Sequence, residues 1–289
     1  MAIRHKRVVV PGEKGTAADW NAEHVIDESS KAKRSVTLIV AASDSKDKDK
    51  ADYVCDGTAD EAEIGQAILD LPAHGGEVRL LEGTYNISTR ITFEGKSFVT
   101  LSGQGRATEI VGDIGEWETV LIGSHCVIRD LKITGRILLK NGTYNTIMNV
   151  ECRGGIFAFG SEGWLTVKGC YIHDTGGVGI FLSDNVGNHI IVNNLIDTTG
   201  SDGIYVDKDG DNCIIAFNRI KNSHSVGISI DSSSRCNVIG NIITDSWQGV
   251  RIDKIDPGDT CSDNTVTNNQ IPDGFFDGGD NTIWDNNQT

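Results

Sequence analysis

A glycine followed by a β-branched residue recurs at even intervals through the second half of the chain. The pairs are Gly155-Ile156, Gly179-Ile180, Gly203-Ile204, Gly227-Ile228 and Gly249-Val250, separated by 24, 24, 24 and 22 residues. A fixed period in the low twenties predicts a solenoid, in which one coil cannot bury its apolar face alone and must stack on its neighbours. Each Gly-Ile opens an alternating run: Ile180-Phe181-Leu182, Ile204-Tyr205-Val206, Ile228-Ser229-Ile230 and Val250-Arg251-Ile252. Alternation sends the first and third residues inward and the middle one outward.

A second phrase follows about half a coil later. It reads His189-x-Ile191 with Asn194-x-Ile196, then Cys213-x-Ile215 with Asn218-x-Ile220. It returns as Asn237-x-Ile239 with Asn241-x-Ile243, and as Asn264-x-Val266 with Asn269-x-Ile271. The apolar members are expected in the lumen. The asparagines are expected at bends, where their amides stack coil upon coil and satisfy backbone groups that a turn leaves unpaired. Gly, Asn, Thr and β-branched residues interrupt every run long enough for a helical repeat, so the expected fold is all-β, a parallel β-helix of roughly nine coils.

This phrase structure resembles the right-handed, single-stranded parallel β-helices of the pectate-lyase-like superfamily over roughly Gly75 to Ile283. The stretch from Ala51 to Ile87 resembles their entry module, in which D-G-x-x-D (Asp56 to Asp60) precedes a short helix, then G-G-x-V (Gly75 to Val78) and G-x-Y (Gly83 to Tyr85). Asp60 with Glu63 has capping-box spacing. Ile64, Ala67, Ile68 and Leu71 form one apolar face, and Pro72 with Gly75-Gly76 ends the segment. A capping helix over about residues 60–71 is therefore expected to plug the open end of the solenoid. Phe275, Phe276 and Trp284 are expected to close the other end.

Residues 1–50 read as an N-terminal arm and linker, and residues 51–289 as the β-helix domain. Within the arm, Asp19-Trp20-Asn21-Ala22-Glu23-His24-Val25-Ile26 resembles the DWNAxHVI phrase at the start of bacteriophage tail-fibre proteins. That resemblance implies attachment to virion proteins. Asp44 to Lys50 is a solvated charge run.

Twenty-six basic against 41 acidic side chains leave a net charge of −15. A nucleic-acid partner is disfavoured, because phosphate binding needs a basic surface. Cys126, Cys152, Cys170 and Cys213 fall in lumen slots, so they read as small hydrophobes rather than disulfides. The first residues lack the apolar run of a signal peptide, and Val36 to Ala42 is too short to span a bilayer. No membrane insertion is expected.

The outward positions form two ladders: Phe157, Phe181, Tyr205, Ser229, Arg251, and Phe159, Ser183, Asp207, Asp231, Asp253. Phe157, Phe181, Tyr205, Ser183 and Ser229 are candidate substrate-binding residues, since sugars take aromatic faces and hydroxyl partners. The aromatics have the alternative of packing under a loop or in a subunit interface. Asp207, Asp231, Asp253 and Arg251 are candidate catalytic residues. One coil of about 4.8 Å suits the carboxylate separation of a retaining glycosidase, and two coils approach the inverting limit. The superfamily resemblance also implies that outward aspartates such as Asp207, Asp231 and Asp253 bind calcium, with Arg251 as base. Lys208, Lys254 and Arg251 are the expected counterions. Asp174, Asp197, Asp245, His173 and His224 lie on another turn as alternatives, while His189 belongs in the core.

The favoured function is a phage tail-associated, tailspike-like protein that binds a host surface polysaccharide as a homotrimer. The alternatives are an extracellular polysaccharide lyase, glycoside hydrolase or epimerase acting on an acidic glycan, and a structural β-helix without ligand.

Overall fold

In the computed structural model every Gly-Ile run becomes one rung of a nine-stranded parallel sheet, here called the lateral sheet. The structure describes residues 3–5, 24–26, 36–93, 95–112, 118–160, 163–183 and 187–289. The rungs run from Ile91–Thr92 to Phe275–Asp277, each paired with the rung one coil away. A further eighteen short strands pair in parallel to build the other walls of the lumen.

The inward positions are sealed. Ile180, Leu182, Ile204, Val206, Ile228, Ile230, Val250 and Ile252 are fully buried from the lateral sheet. Ile191, Ile196, Ile215, Ile220, Val238, Ile243, Val266 and Ile271 meet them from the opposite walls, also fully buried. Each such side chain contributes about 1.5–3 kcal/mol by leaving water.

The repeated glycine has a steric cause. A Cβ on Gly179, Gly203, Gly227 or Gly249 would lie 2.6–2.8 Å from the carbonyl oxygen of the glycine one coil further on. The backbones approach too closely there for any side chain, so each coil needs glycine at the same place.

The asparagines stack as expected. The Asn194 amide donates to Asn218, Asn218 to Asn241, Asn241 to Asn269 and Asn269 to Asn287, each at 3.0 Å. Each side-chain oxygen also accepts the backbone N–H of the preceding asparagine, as when Asn194 N–H donates to Asn218 Oδ1 at 3.0 Å. His189 is buried and accepts the Leu165 N–H at 3.0 Å.

Two phrases sit one residue off their expected register. Val238, not Ile239, pairs with Ile215, so that Cys236 rather than Asn237 takes the place equivalent to Cys213. At the last coil Trp284 pairs with Val266 and Ile283 is exposed. A one-residue slip exchanges the two faces of a strand, and Val238-Ile239 satisfies the alternation either way.

The capping helix spans Glu61–Asp70 and buries Ile64, Ala67, Ile68 and Leu71 against the N-terminal strands. The expected capping box is absent. Asp60 is fully buried and its carboxylate accepts the N–H groups of Gly57 (2.9 Å) and Asn86 (2.7 Å), tying the turn to the neighbouring strand. Glu61 instead holds the helix start, accepting N–H and hydroxyl bonds from Ser88 and Thr89.

The solenoid begins earlier than residue 51. Thr37–Ala41 pairs with Gly76–Leu80, and Val40, Ala41 and Ala42 are fully buried. The chain divides instead between Val36 and Thr37. In the first unit Ile3–His5 and His24–Ile26 form an antiparallel pair. Asp19 to Glu23 of the tail-fibre-like phrase lie outside the described residues. Among the described residues, no helix is long and apolar enough to cross a membrane.

All seven cysteines are free and buried. Burial pushes the Cys152 thiol up to about 11 and Cys170 up to about 12. A thiol reagent added to native protein should therefore titrate essentially none of the seven, and all of them after denaturation. Rapid labelling of Cys126, Cys152, Cys170 or Cys213 without denaturant would refute the lumen assignment. Replacing Asn218 by Ala orphans the Asn194 N–H and the Ile191 carbonyl (2.9 Å), both in the interior. Urea unfolding should show a loss of about 2–4 kcal/mol.

Candidate functional site on the lateral sheet

The outward ladders exist in the register expected. Phe157 pairs with Phe181, Phe181 with Tyr205, Tyr205 with Ser229, and Ser229 with Arg251. Phe159 pairs with Ser183, and Asp231 with Asp253. Phe276, expected in a terminal lid, extends the first ladder beside Arg251. Only Phe275 and Trp284 stack at the end, with ring centroids 4.2 Å apart.

The aromatic half is a continuous cluster. Phe159 and Phe181 meet edge to face at 5.2 Å, and Phe181 stacks on Tyr205 at 5.2 Å. Phe157 is 8% exposed, because the Arg136 guanidinium lies 4.0 Å over its ring. It supports the cluster from beneath rather than presenting a face. Arg136 was not legible as part of the site, since coil lengths upstream of Gly155 depart from the 24-residue step.

The polar half is a hydrogen-bonded network. Ser183 Oγ donates to Asp207 at 3.0 Å and the Tyr205 hydroxyl to Asp207 at 3.4 Å. Arg251 Nη2 donates to Asp231 at 2.7 Å, and Ser229 Oγ donates to the same carboxylate at 3.4 Å. Ser183, Ser229 and Asp231 are buried beneath Tyr205 and Arg251. The groups that reach solvent are Phe159, Phe181, Tyr205, Asp207, Arg251 and Asp253.

Burial dominates the electrostatics. It raises the Asp231 pKa, helped by the Asp253 charge, and the bond and charge of Arg251 offset this only in part. Burial and the Asp231 and Asp207 charges also push the Tyr205 phenol well up. For Arg251 burial works against the charge, but its bond to Asp231 outweighs this and raises its pKa. Arg251 Nε is buried without a hydrogen-bond partner, leaving one donor of the fork uncommitted. Asp231 is thus a buried acid held by Arg251, and Asp207 and Asp253 are the carboxylates a ligand can touch.

Two expected counterions point elsewhere. Lys208 pairs with Asp259 at 3.5 Å and Lys254 with Asp280 at 2.6 Å. Asp207, Asp231 and Asp253 do not bring their oxygens together as a metal-ligand group. Among the described residues the only such group within 4.8 Å is Cys55, Asp60 and Glu63, under the capping helix. Of the alternatives, His173 is taken up by Glu151 (3.3 Å) and Asp174 (2.8 Å), and Asp197 by Lys221 at 2.8 Å.

The family model described as "Right handed beta helix region" matches residues 88–288. No curated protein sequence matches significantly. Among solved structures, ORF18 of Geobacillus virus E2 matches with a TM-score of 0.57 at 15% identity, over 78% of this chain and 56% of its own. The catalytic unit of a GH87 α-1,3-glucanase from Streptomyces thermodiastaticus strain HF3-3 has a TM-score of 0.57 at 19% identity, over 75% and 43%. PfbA, a surface adhesin of Streptococcus pneumoniae, has 0.59 at 15%, over 78% and 70%. The chain spans about half the length of the viral protein and the glucanase. At such identities these likenesses establish the fold alone.

Removing Arg251 should expose how the site is balanced. In Arg251→Ala the Asp231 pKa, read by carboxyl NMR, should rise further above that of wild type. A folded-state pKa raised above the unfolded value stabilises below the unfolded pKa, and that contribution is lost as pH rises through the folded pKa. The variant should therefore lose stability relative to wild type as pH climbs from 4 to 7, by about 1–3 kcal/mol at the upper end. A pH-independent difference would mean that Arg251 does not hold Asp231.

Proposed function

The chain belongs to the right-handed β-helix family, and from that premise we propose that it is a phage tail-associated, tailspike-like protein that binds a cell-surface polysaccharide along its lateral sheet. One observation carries this reading. Half-buried Phe159, Phe181 and Tyr205 run, rung by rung, into Asp207, Arg251 and Asp253 on one face. Aromatic rings cover the C–H faces of sugars, and carboxylates accept hydroxyl protons. The coil repeat of about 4.8 Å aligns successive contacts along an extended chain.

The net charge of −15 disfavours a polyanionic glycan and favours a neutral or cationic one. The tail-fibre-like phrase at residues 19–26 supports attachment to virion proteins, with assembly as a homotrimer. A viral protein stands among the structural neighbours, in line with a phage origin.

The second reading is a glycoside hydrolase or lyase. It is favoured by one feature, the buried acid Asp231 beside the accessible carboxylates Asp207 and Asp253. An upward shift is the direction a general acid needs, although the Arg251 ion pair favours the charged carboxylate and burial restricts access to a glycosidic oxygen.

A panel of capsular and cell-wall glycans tests both. Calorimetry should find a binding glycan, with Phe181→Ala and Tyr205→Ala each weakening it about ten-fold. Wild-type affinity in both variants would move the site off this face. Reducing ends or unsaturated products that vanish in Asp231→Asn would favour the enzyme. A strict monomer by light scattering would overturn the trimer.

A further inference from the structure

A second groove lies away from the lateral face, along the turn that leads into it. It has a volume of about 650 Å³ and is lined by four successive coils. Asp174, Thr199, Asn222, Ser223, His224 and Asp245 supply its polar groups, and Gly176 and Gly200 keep it open. Thr175, Thr199 and Ser223 stand in register on its floor.

Three features mark it as more than a solvated turn. Thr175 donates its hydroxyl to the Gly177 carbonyl (2.8 Å) and Thr199 to that of Ser201 (2.9 Å). The matching carbonyl for Ser223 is that of Ser225, which already accepts the N–H groups of Trp247 and Gln248. The Ser223 hydroxyl, on a residue 3% exposed, is left without a partner. The side chains of Asp245 and His224 likewise have no hydrogen bond or ion pair among the described residues, whereas that of Asp174 is shared with His173 and Arg153. Two residues after Asp245 in the chain, outside the groove's own lining, Trp247 stands 75% exposed and offers an apolar ring to solvent.

We propose that this groove binds an oligosaccharide of amino sugars carrying free ammonium groups. The proposal rests on the reading of the chain as a glycan binder and names a sugar class for a separate subsite. Asp245 takes an ammonium group and Trp247 covers a pyranose face, while ring hydroxyls meet the Ser223 hydroxyl and the Asn222 carbonyl oxygen, the Asn222 amide being held by Asp197 at 2.8 Å. Asp174 and Asp245 are three coil rises apart, about 14 Å, so a short chain along the solenoid axis meets a carboxylate near each end. The net charge of −15 draws such a ligand in.

The probes are a chitosan tetramer and its fully N-acetylated counterpart, titrated by calorimetry into the full chain. The free amine should bind, and acetylation should weaken it by at least the loss seen in Asp245→Asn, about five-fold. Trp247→Ala should weaken binding comparably. Asp263→Asn, on a different turn, should change nothing. Asparagine suits the left-handed backbone of Asp245 (φ 59°), so that variant keeps the fold. Undetectable binding, equal affinity for both tetramers, or equal losses in Asp245→Asn and Asp263→Asn would overturn the proposal. Loss on Phe181→Ala with Asp245→Asn unaffected would place the tetramer on the lateral sheet, overturning this groove while sparing the first reading.

Discussion

The column of buried asparagine amides is the contact on which the register of this solenoid depends. Parallel rungs of β-branched residues would tolerate a slip of two residues, since every second side chain is apolar. The column does not. Asn218, Asn241, Asn269 and Asn287 each accept both the backbone N–H and a side-chain amide proton of the asparagine one coil before. A slipped coil would bury unpaired amides, at a cost of about 1–3 kcal/mol per group. The glycine column imposes the same register by sterics, because any side chain there would meet the next backbone at under 3 Å.

With the lumen constrained so tightly, variation is confined to outward positions. There the same register that stacks isoleucines inside also stacks Phe181 on Tyr205 and sets Asp231 beside Asp253 outside. Stacked like charges repel, and the network answers by burying one carboxylate under Arg251 and Tyr205 while Ser183 and the Lys208 N–H serve Asp207. The outcome is a face with an apolar end and a polar end, separated by rungs rather than by sequence.

A face of this kind suits an elongated ligand, because both repeat along one axis. The same fold carries a viral protein, a glucanase and a surface adhesin. The winding of the chain therefore says little about chemistry, and the functional reading stands on the named side chains. The adjoining turn groove obeys the same logic: four coils bring Asp174, Asn222 and Asp245 to one line although 71 positions separate the first from the last.

Much of this was readable without coordinates. The 24-residue step, the alternating runs and the repeated asparagines determined a parallel solenoid, its lumen residues and the identity of both outward ladders, since each follows from local periodicity. What periodicity leaves ambiguous was decided by packing between coils. Val238-Ile239 alternates acceptably in either phase, so only pairing with Ile215 chose the buried member. Asp60 has the spacing of a helix cap, but its carboxylate is claimed by Gly57 and Asn86. Asp207, Asp231 and Asp253 look equivalent in the chain, yet Asp231 is buried and the other two are reachable. Exposure and charge are set by what stands one coil above and below, and that neighbour is some two dozen residues away in the sequence.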